Sequence, residues 1–187
     1  MRVGVWLVWG FGTLAWLAGC AAEPAADSDG VPSYELRRDA PVNPTNADLR
    51  GRPLPDVGLV TSTGVAVRTS DLRGRPALLN VWYSTCEPCR REMPLLADAH
   101  RTWGAAVDVV GINPQDDDAT AARFVATYGV GYDTWFDRDG AFLRATGIAT
   151  APVTLAVDAA GTVVDQAAGE LDAARLERLL AALGVLP

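Results

Sequence analysis

Residues 84–94 read Ser-Thr-Cys-Glu-Pro-Cys-Arg-Arg-Glu-Met-Pro, a stretch that holds two of the three cysteines of the 187-residue chain. The residues before it, 76–83, form a continuous apolar run of strand length, which is typical of a strand buried on both faces. Ser84 or Thr85 is expected to cap a helix that begins at the cysteines and continues to about Arg101. A strand that leads directly into Cys-x-x-Cys at a helix start is a redox arrangement.

The chemistry of this pair depends on a thiolate, because the thiolate and not the thiol attacks a disulfide. At a helix N-terminus the unpaired N–H groups and the helix dipole stabilise a negative sulfur. Cys86, nearer the helix end, is therefore expected to be the nucleophile. Cys89, one turn further in, is expected to attack the resulting mixed disulfide and release the reduced partner.

Strands alternate with helices along the rest of the chain, which predicts an α/β domain. A hairpin near the C-terminus makes the predicted sheet mixed. The aspartates at 116–118 are interpreted as a helix cap rather than as a cation site. The predicted elements are short strands on either side of a turn at 62–64, a strand at 107–113, a helix at 119–128, a strand near 134–136, a short helix to about Thr146, strands at 153–157 and 162–166, and a final helix opened by Glu170 and Leu171.

The N-terminal region has the layout of a secretory signal peptide, with one arginine, an apolar run and small residues in order at positions 2–19. Residues 17–20, Leu-Ala-Gly-Cys, resemble the lipobox of bacterial lipoproteins, which implies cleavage of residues 1–19 and lipidation of Cys20. An uncleaved membrane helix and a plain secretory signal are the alternatives. Residues 20–46 have no apolar period and are expected to form a flexible tether for a folded domain at 47–187.

Lipidation of Cys20 would leave Cys86 and Cys89 as the only thiol pair. A loop closed across two residues constrains the unfolded chain too little to stabilise it much, so the pair is interpreted as chemistry rather than as a structural link. Two thiolates without nearby histidines are also poor ligands for a closed zinc site, and no metal is expected. The lone histidine, His100, is left without a role. The net charge of −7 argues against nucleic acid as a partner.

The stretch Val81–Pro94 resembles the active site of TlpA/ResA-type thioredoxin-like proteins. Residues 54–56 and 71–76 resemble the lead-in segments of that family, and residues 152–158 followed by Gly161 resemble its later strand. The resemblance covers about residues 48–187. It implies a thioredoxin-like α/β fold with a central mixed sheet flanked by helices, an N-terminal strand extension and a central helix-containing insertion.

The resemblance also implies roles for single residues. Pro152 stands where the family has a cis-proline facing the disulfide, and the backbone of Ala151 would pair with a substrate strand and exclude metal from the thiols. Thr150, Glu87 and Pro88 are expected to contact the substrate as well. Thr85 and Val153 depart from the family pattern at positions expected to touch the contact surface.

Glu92 is expected to carry the proton to and from the inner thiol. Thioredoxin has a buried aspartate six residues before its first cysteine, where this chain has Asn80, which cannot titrate. Glu92 lies three residues after Cys89, on the same helix face, and the family uses a glutamate here. The alternative is an exposed glutamate in the first turn that interacts only with the helix dipole.

The resemblance implies a thiol–disulfide oxidoreductase that acts outside the cytoplasm, is lipid-anchored to the bacterial cell membrane and needs no cofactor beyond its redox-active disulfide. Its substrates would be protein thiols and disulfides, above all the haem-binding cysteines of apocytochrome c, with electrons supplied by a membrane thiol carrier. The alternatives are an oxidant that inserts disulfides into secreted proteins, a peroxiredoxin-like peroxidase, and a non-enzymatic binding lipoprotein.

Overall fold

The computed structural model describes residues 45–186, which build one seven-stranded sheet with helices packed against it. The sheet order is β2-β1-β5-β4-β3-β6-β7. The strands are β1 (Gly58–Thr61), β2 (Ala66–Arg68), β3 (Ala77–Val81), β4 (Asp108–Asn113), β5 (Asp133–Phe136), β6 (Val153–Val157) and β7 (Val163–Ala168). The helices are α1 (Glu87–Trp103), α2 (Asp118–Tyr128), α3 (Ala141–Thr146) and α4 (Ala173–Ala182), with a 3₁₀ helix at Thr69–Leu72.

The sheet is mixed, as the sequence predicts. Strands β3, β4 and β5 run parallel, and every other neighbouring pair is antiparallel. Strands β1 and β2 extend the sheet beyond β5, and α3 lies in the segment between β5 and β6. The predicted α/β architecture, with its N-terminal strand extension and helix-containing insertion, is confirmed.

Strand β3 lies inside the sheet, between β4 and β6, and both of its faces are covered. All five of its residues are buried, and successive side chains point to opposite faces. Leu78 joins a core cluster with residues of α1 and α4, whereas Leu79 joins a cluster that includes Phe142 of α3. A shift of one residue would exchange the side chains between these two clusters, so the packing fixes the register of β3 and the place of the residues that follow it.

The chain leaves β3 at Trp82, whose indole packs directly over Gly111 of β4. A Cβ atom at position 111 would lie 2.4 Å from Nε1 of Trp82, so glycine is required there. The indole also stacks on Phe124 of α2, with ring centroids 4.6 Å apart. The strand therefore ends at Val81 rather than at Tyr83, and the loop to α1 begins from an anchored tryptophan.

Three helix starts differ from or refine the sequence-based predictions. Helix α1 is capped by Cys86 and not by Ser84 or Thr85. Helix α4 begins at Ala173 behind an Asp172 cap, so Glu170 and Leu171 belong to the preceding loop. Helix α2 is capped by Asp117, whose side chain accepts a hydrogen bond from the Thr120 N–H, as expected for the aspartate run.

The signal peptide, Cys20 and the tether up to residue 44 lie outside the described residues. Asn46, which the prediction assigns to the tether, is described and hydrogen-bonded to Thr150, so packing begins slightly before the predicted boundary. Between residues 45 and 186, no helix has both the length and the apolar character needed to cross a bilayer.

Candidate active site

Cys86 and Cys89 are joined by a disulfide at the N-terminal end of α1. Cys86 is the cap residue of this helix, and its Sγ accepts a hydrogen bond from the backbone N–H of Cys89 at 3.3 Å. Cys86 is 5% exposed, whereas Cys89 is completely buried. An incoming sulfur can therefore reach Cys86 only, which agrees with the roles expected for the two thiols.

The peptide bond between Ala151 and Pro152 is cis. Strand β6 starts at Val153, which pairs with Val81, the last residue of β3. The proline before β6 and the cysteine loop after β3 therefore lie at the same end of two adjacent strands. Ala151 packs against the cluster of buried residues that contains both cysteines. Val153 is fully buried, so the expectation that it touches the contact surface is wrong.

Asn46 fastens the loop that precedes the cis-proline. Its Nδ2 donates to the carbonyl oxygen and the hydroxyl of Thr150, both at 3.1 Å. Its Oδ1 accepts from the N–H groups of Ala149 and Thr150, at 2.8 and 2.9 Å. One side chain thus binds both backbone N–H and carbonyl groups of this loop, where the resemblance places substrate contacts.

The rim of the site is formed by exposed or half-buried side chains. Glu87 is exposed and pairs with Arg91, and Pro88 is half-buried between the two cysteines. Exposed Thr85 lies 3.4 Å from the side-chain nitrogen of Gln115. A cleft of about 290 Å³ opens next to this rim, and it is lined mainly by Tyr83, Pro114, Gln115, Leu143, Ile148 and Thr150. It is large enough to accept a side chain of a bound polypeptide.

Glu92 is buried and not the exposed first-turn residue of the alternative prediction, since it is only 1% exposed. Its Oε1 accepts from Nδ2 of Asn80, and its Oε2 accepts from the backbone N–H of Leu171, both at 2.7 Å. Burial raises the pKa of Glu92 to about 7, although these two hydrogen bonds act in the opposite direction. Asn80 also donates to the Thr154 hydroxyl at 3.1 Å, so Glu92 is linked to the strand that follows the cis-proline.

Asp116 holds the loop between β3 and α1, a role that the sequence analysis missed. One carboxylate oxygen accepts from the Ser84 N–H at 2.7 Å and from Nδ2 of Asn113 at 2.8 Å, and the other accepts from the Ser84 hydroxyl at 2.7 Å. Only one aspartate is needed to cap α2, so the run of three aspartates at 116–118 indicates that another of them has a different role. No comparable local signal marked Asn46, whose partners lie more than 100 residues away.

The described part of the chain contains no group of three or more histidine, cysteine or acidic side chains placed to hold a metal ion. The groups that the structure brings to this site are the cysteine pair, a buried carboxyl three residues beyond Cys89, and the cis-proline loop, whose Ala151 packs against the cluster that contains both cysteines.

Comparisons with known proteins agree with this arrangement. The sequence matches the Redoxin family over residues 49–182. It is 37% identical over 124 residues to the thiol:disulfide interchange protein DsbE of Pseudomonas fluorescens biotype C, an alignment that covers 65% of this chain and 68% of that protein. It is 29% identical over 122 residues to the thiol-disulfide oxidoreductase ResA of Bacillus subtilis (strain 168), with the same two coverages.

A solved structure shows the same fold. A Chlorobium tepidum protein assigned as thiol:disulfide interchange protein DsbE superposes with a TM-score of 0.65 at 32% sequence identity. The superposition covers 72% of this chain and 98% of that one.

The raised pKa of Glu92 predicts how folding stability depends on pH. The pKa is about 7 in the folded protein and about 4.3 in an unfolded chain. Below pH 4.3 the carboxyl is protonated in both states. Between about pH 4.3 and 7 only the unfolded chain loses the proton, so the free energy of unfolding falls as pH rises, by about 4 kcal/mol in all, and then levels off.

Glu92→Gln removes this titration, so its free energy of unfolding relative to wild type should rise by that amount across the same range. Urea unfolding of the oxidised proteins at a series of pH values measures the difference and keeps thiol titration out of it. Glu87→Gln removes an exposed carboxyl from the same helix and should retain the wild-type profile. A difference between Glu92→Gln and wild type that does not change with pH would contradict the assignment.

Proposed function

The chain belongs to the Redoxin family and is a thiol–disulfide oxidoreductase of the DsbE/ResA type, and on this basis we propose that it reduces disulfides of exported proteins from an anchored position outside the cytoplasm. The resemblance to TlpA/ResA-type proteins and the thioredoxin-like fold predicted from the sequence are confirmed. The observation that carries the proposal is the location of Cys86, the only reachable sulfur of the pair, at a helix N-terminus beside a cis-proline loop.

The proposed reaction is a two-step exchange that starts from the reduced pair. The Cys86 thiolate attacks one sulfur of a substrate disulfide, so that a mixed disulfide forms and one substrate thiolate leaves. Cys89 then attacks Sγ of Cys86, which forms the Cys86–Cys89 bond and releases the second substrate thiolate. The substrate gains two electrons and two protons, and the protein pair is oxidised.

Substrate binding is assigned to the loop before the cis-proline and to the rim of the site. The backbone of Ala151 would pair with an extended substrate segment, as β-strand addition does elsewhere. Thr150, Glu87 and Pro88 would contact the same segment, a proposal supported by the exposure of Glu87 and by the position of Thr150 in the lining of the cleft, which can take a substrate side chain. The preferred substrate is apocytochrome c, whose two haem-binding cysteines must be reduced before haem attachment.

A reductase in an oxidising compartment needs a continuing supply of electrons. A membrane thiol carrier would reduce the Cys86–Cys89 disulfide after each turnover, and the disulfide would be the only redox group that the protein itself needs. A lipid on Cys20 would keep the domain near that carrier, with residues 21–45 as a tether. The lipobox-like Leu17–Cys20 sequence supports this anchor.

Cys89→Ser should trap the substrate, because the mixed disulfide on Cys86 can no longer be resolved. We expect a covalent adduct with an oxidised peptide that contains the Cys-x-x-Cys-His haem-attachment motif, detected by mass spectrometry without reductant. Cys86→Ser should give no adduct. Absence of an adduct with Cys89→Ser would contradict the proposed exchange.

The reduction potential distinguishes the reductase from the disulfide-forming oxidant. After equilibration of the wild-type protein with glutathione, a potential near about −270 mV would support the reductase, whereas one near about −120 mV would support the oxidant.

Glu92→Gln should also change the pH profile of disulfide reduction if Glu92 carries the proton for Cys89. The wild-type rate should inflect near pH 7, the pKa of Glu92, and the variant should lose this inflection and slow by roughly tenfold or more. Stopped-flow reduction of the oxidised peptide from pH 5 to 9 measures both. Identical profiles in the two proteins would rule out the proton-carrier role.

Cys20→Ser should abolish attachment of lipid, because Cys20 is the residue at which the lipobox-like sequence implies lipidation. Growth of producing cells with an alkyne-labelled fatty acid, followed by purification and fluorescent tagging, measures the lipid on each form. Label that persists in the variant, or is absent from the wild type, would contradict lipidation of Cys20.

A further inference from the structure

Ser84 is the residue through which two parts of the fold hold the cysteine loop. Its N–H and hydroxyl both donate to the carboxylate of Asp116, each at 2.7 Å. Its carbonyl oxygen accepts from Nε of Arg90 at 2.8 Å. Because Arg90 directly follows Cys89 on α1, Ser84 connects the helix that carries the inner sulfur to the loop between β4 and α2.

The carboxylate of Asp116 is itself fixed in place. Asp116 is 7% exposed, and it forms a reciprocal pair with Asn113, whose Nδ2 donates to the carboxylate while its Oδ1 accepts from the Asp116 N–H, both at 2.8 Å. The Asp116 carbonyl oxygen accepts from Arg138 at 2.8 Å, and the guanidinium of Arg138 lies over the Phe136 ring. A buried carboxylate with this many partners has one available position.

The loop that Asp116 holds is the one that presents Cys86. The N–H of Cys86 donates to the carbonyl of Tyr83 at 3.1 Å, and the N–H of Trp82 donates to the carbonyl of Ile112 at 3.0 Å. The segment from Trp82 to Cys86 is thus attached to β4 at its start and to Asp116 at its middle. None of these contacts involves the bond between the two sulfurs.

We propose that Asp116 is a positioning residue for thiol–disulfide exchange: by holding Ser84 it keeps Cys86 next to Cys89 whether or not the disulfide is present. Two groups held in place react with a high effective concentration. For a dithiol this effective concentration raises the equilibrium constant for forming the protein disulfide from oxidised glutathione, with release of two reduced glutathione molecules. A looser loop lowers that constant and makes the protein disulfide easier to reduce. The inference concerns the cysteine pair itself and does not depend on which substrate the protein reduces.

Asp116→Asn tests the inference, because the amide keeps the size of the side chain but has one neutral oxygen in place of the two carboxylate oxygens that accept from Ser84 and Asn113. We expect the equilibrium constant with glutathione to fall about three- to tenfold, measured by alkylation and mass spectrometry over a series of glutathione ratios. Ser84→Ala removes only the hydroxyl contact and should lower the constant in the same direction by a smaller factor. The double variant should lower the constant by less than the product of the two single effects, since both substitutions weaken the same contact between Ser84 and Asp116.

The matched control is Asp117→Asn, which removes the same charge one residue further along. Asp117 is exposed and caps α2, and asparagine caps a helix equally well, so its constant should stay within twofold of wild type. If the effect came from the charge of Asp116 rather than from position, Ser84→Ala would leave the constant unchanged, and the proposal would be wrong.

Thermal unfolding of the oxidised and reduced forms separates positioning from a general structural role. A residue that only stabilises the fold should lower the melting temperatures of both forms equally and leave the glutathione constant unchanged, and that result would overturn the proposal. Positioning predicts a larger loss of stability in the oxidised form. If Asp116→Asn does not fold, Ser84→Ala decides the question through the same two measurements.

Discussion

The active site depends on a tight constraint between β3 and α1. The strand is buried on both faces and cannot shift, and the helix must begin within a few residues of its end so that its N-terminal N–H groups reach a sulfur. The turn between them leaves Cys86 partly reachable and buries Cys89. Cys86 caps the helix with its own sulfur, so the residue that ends the loop is also the one that reacts with the substrate.

Such a turn brings backbone polar groups into the interior, where each needs a hydrogen-bond partner. Asp116, from a distant segment, supplies such a partner for the buried N–H of Ser84 in the cysteine loop. Asn46 binds the backbone of the exposed loop before the cis-proline, through the N–H groups of Ala149 and Thr150. Each of the two loops near the disulfide is therefore held by a side chain from another segment, one by the β4–α2 loop and one by the segment that contains Asn46. This arrangement suits a protein in which a substrate sulfur must reach Cys86 while the two cysteines keep their positions.

Local patterns in the sequence predicted the sheet, most helices and the redox pair, because strands buried on both faces give continuous apolar runs and Cys-x-x-Cys stands at a helix start. They placed the α1 cap wrongly because Ser84 is a better capping residue than cysteine by propensity, but its hydroxyl is used by Asp116. Asn46, and the contact of Leu171 with Glu92, join residues far apart in the chain, so no periodicity or motif marks them. Val153 was assigned to the surface by resemblance alone, whereas it is buried as the first residue of β6, a strand whose five residues are all buried.

The buried carboxyl shows how opposing effects set its proton affinity. Both neighbours of Glu92 are donors, the amide of Asn80 and the N–H of Leu171, and donors favour the ionised carboxylate. Burial favours the neutral acid and outweighs them, which places the pKa near 7. With an aspartate instead of Asn80, two carboxyls would compete for one proton at this place; the amide supplies a hydrogen bond without a second charge. A carboxyl that is close to half-protonated at neutral pH can both give and accept a proton. The proposed exchange requires both, because Cys89 loses a proton when the disulfide forms and gains one when the disulfide is reduced.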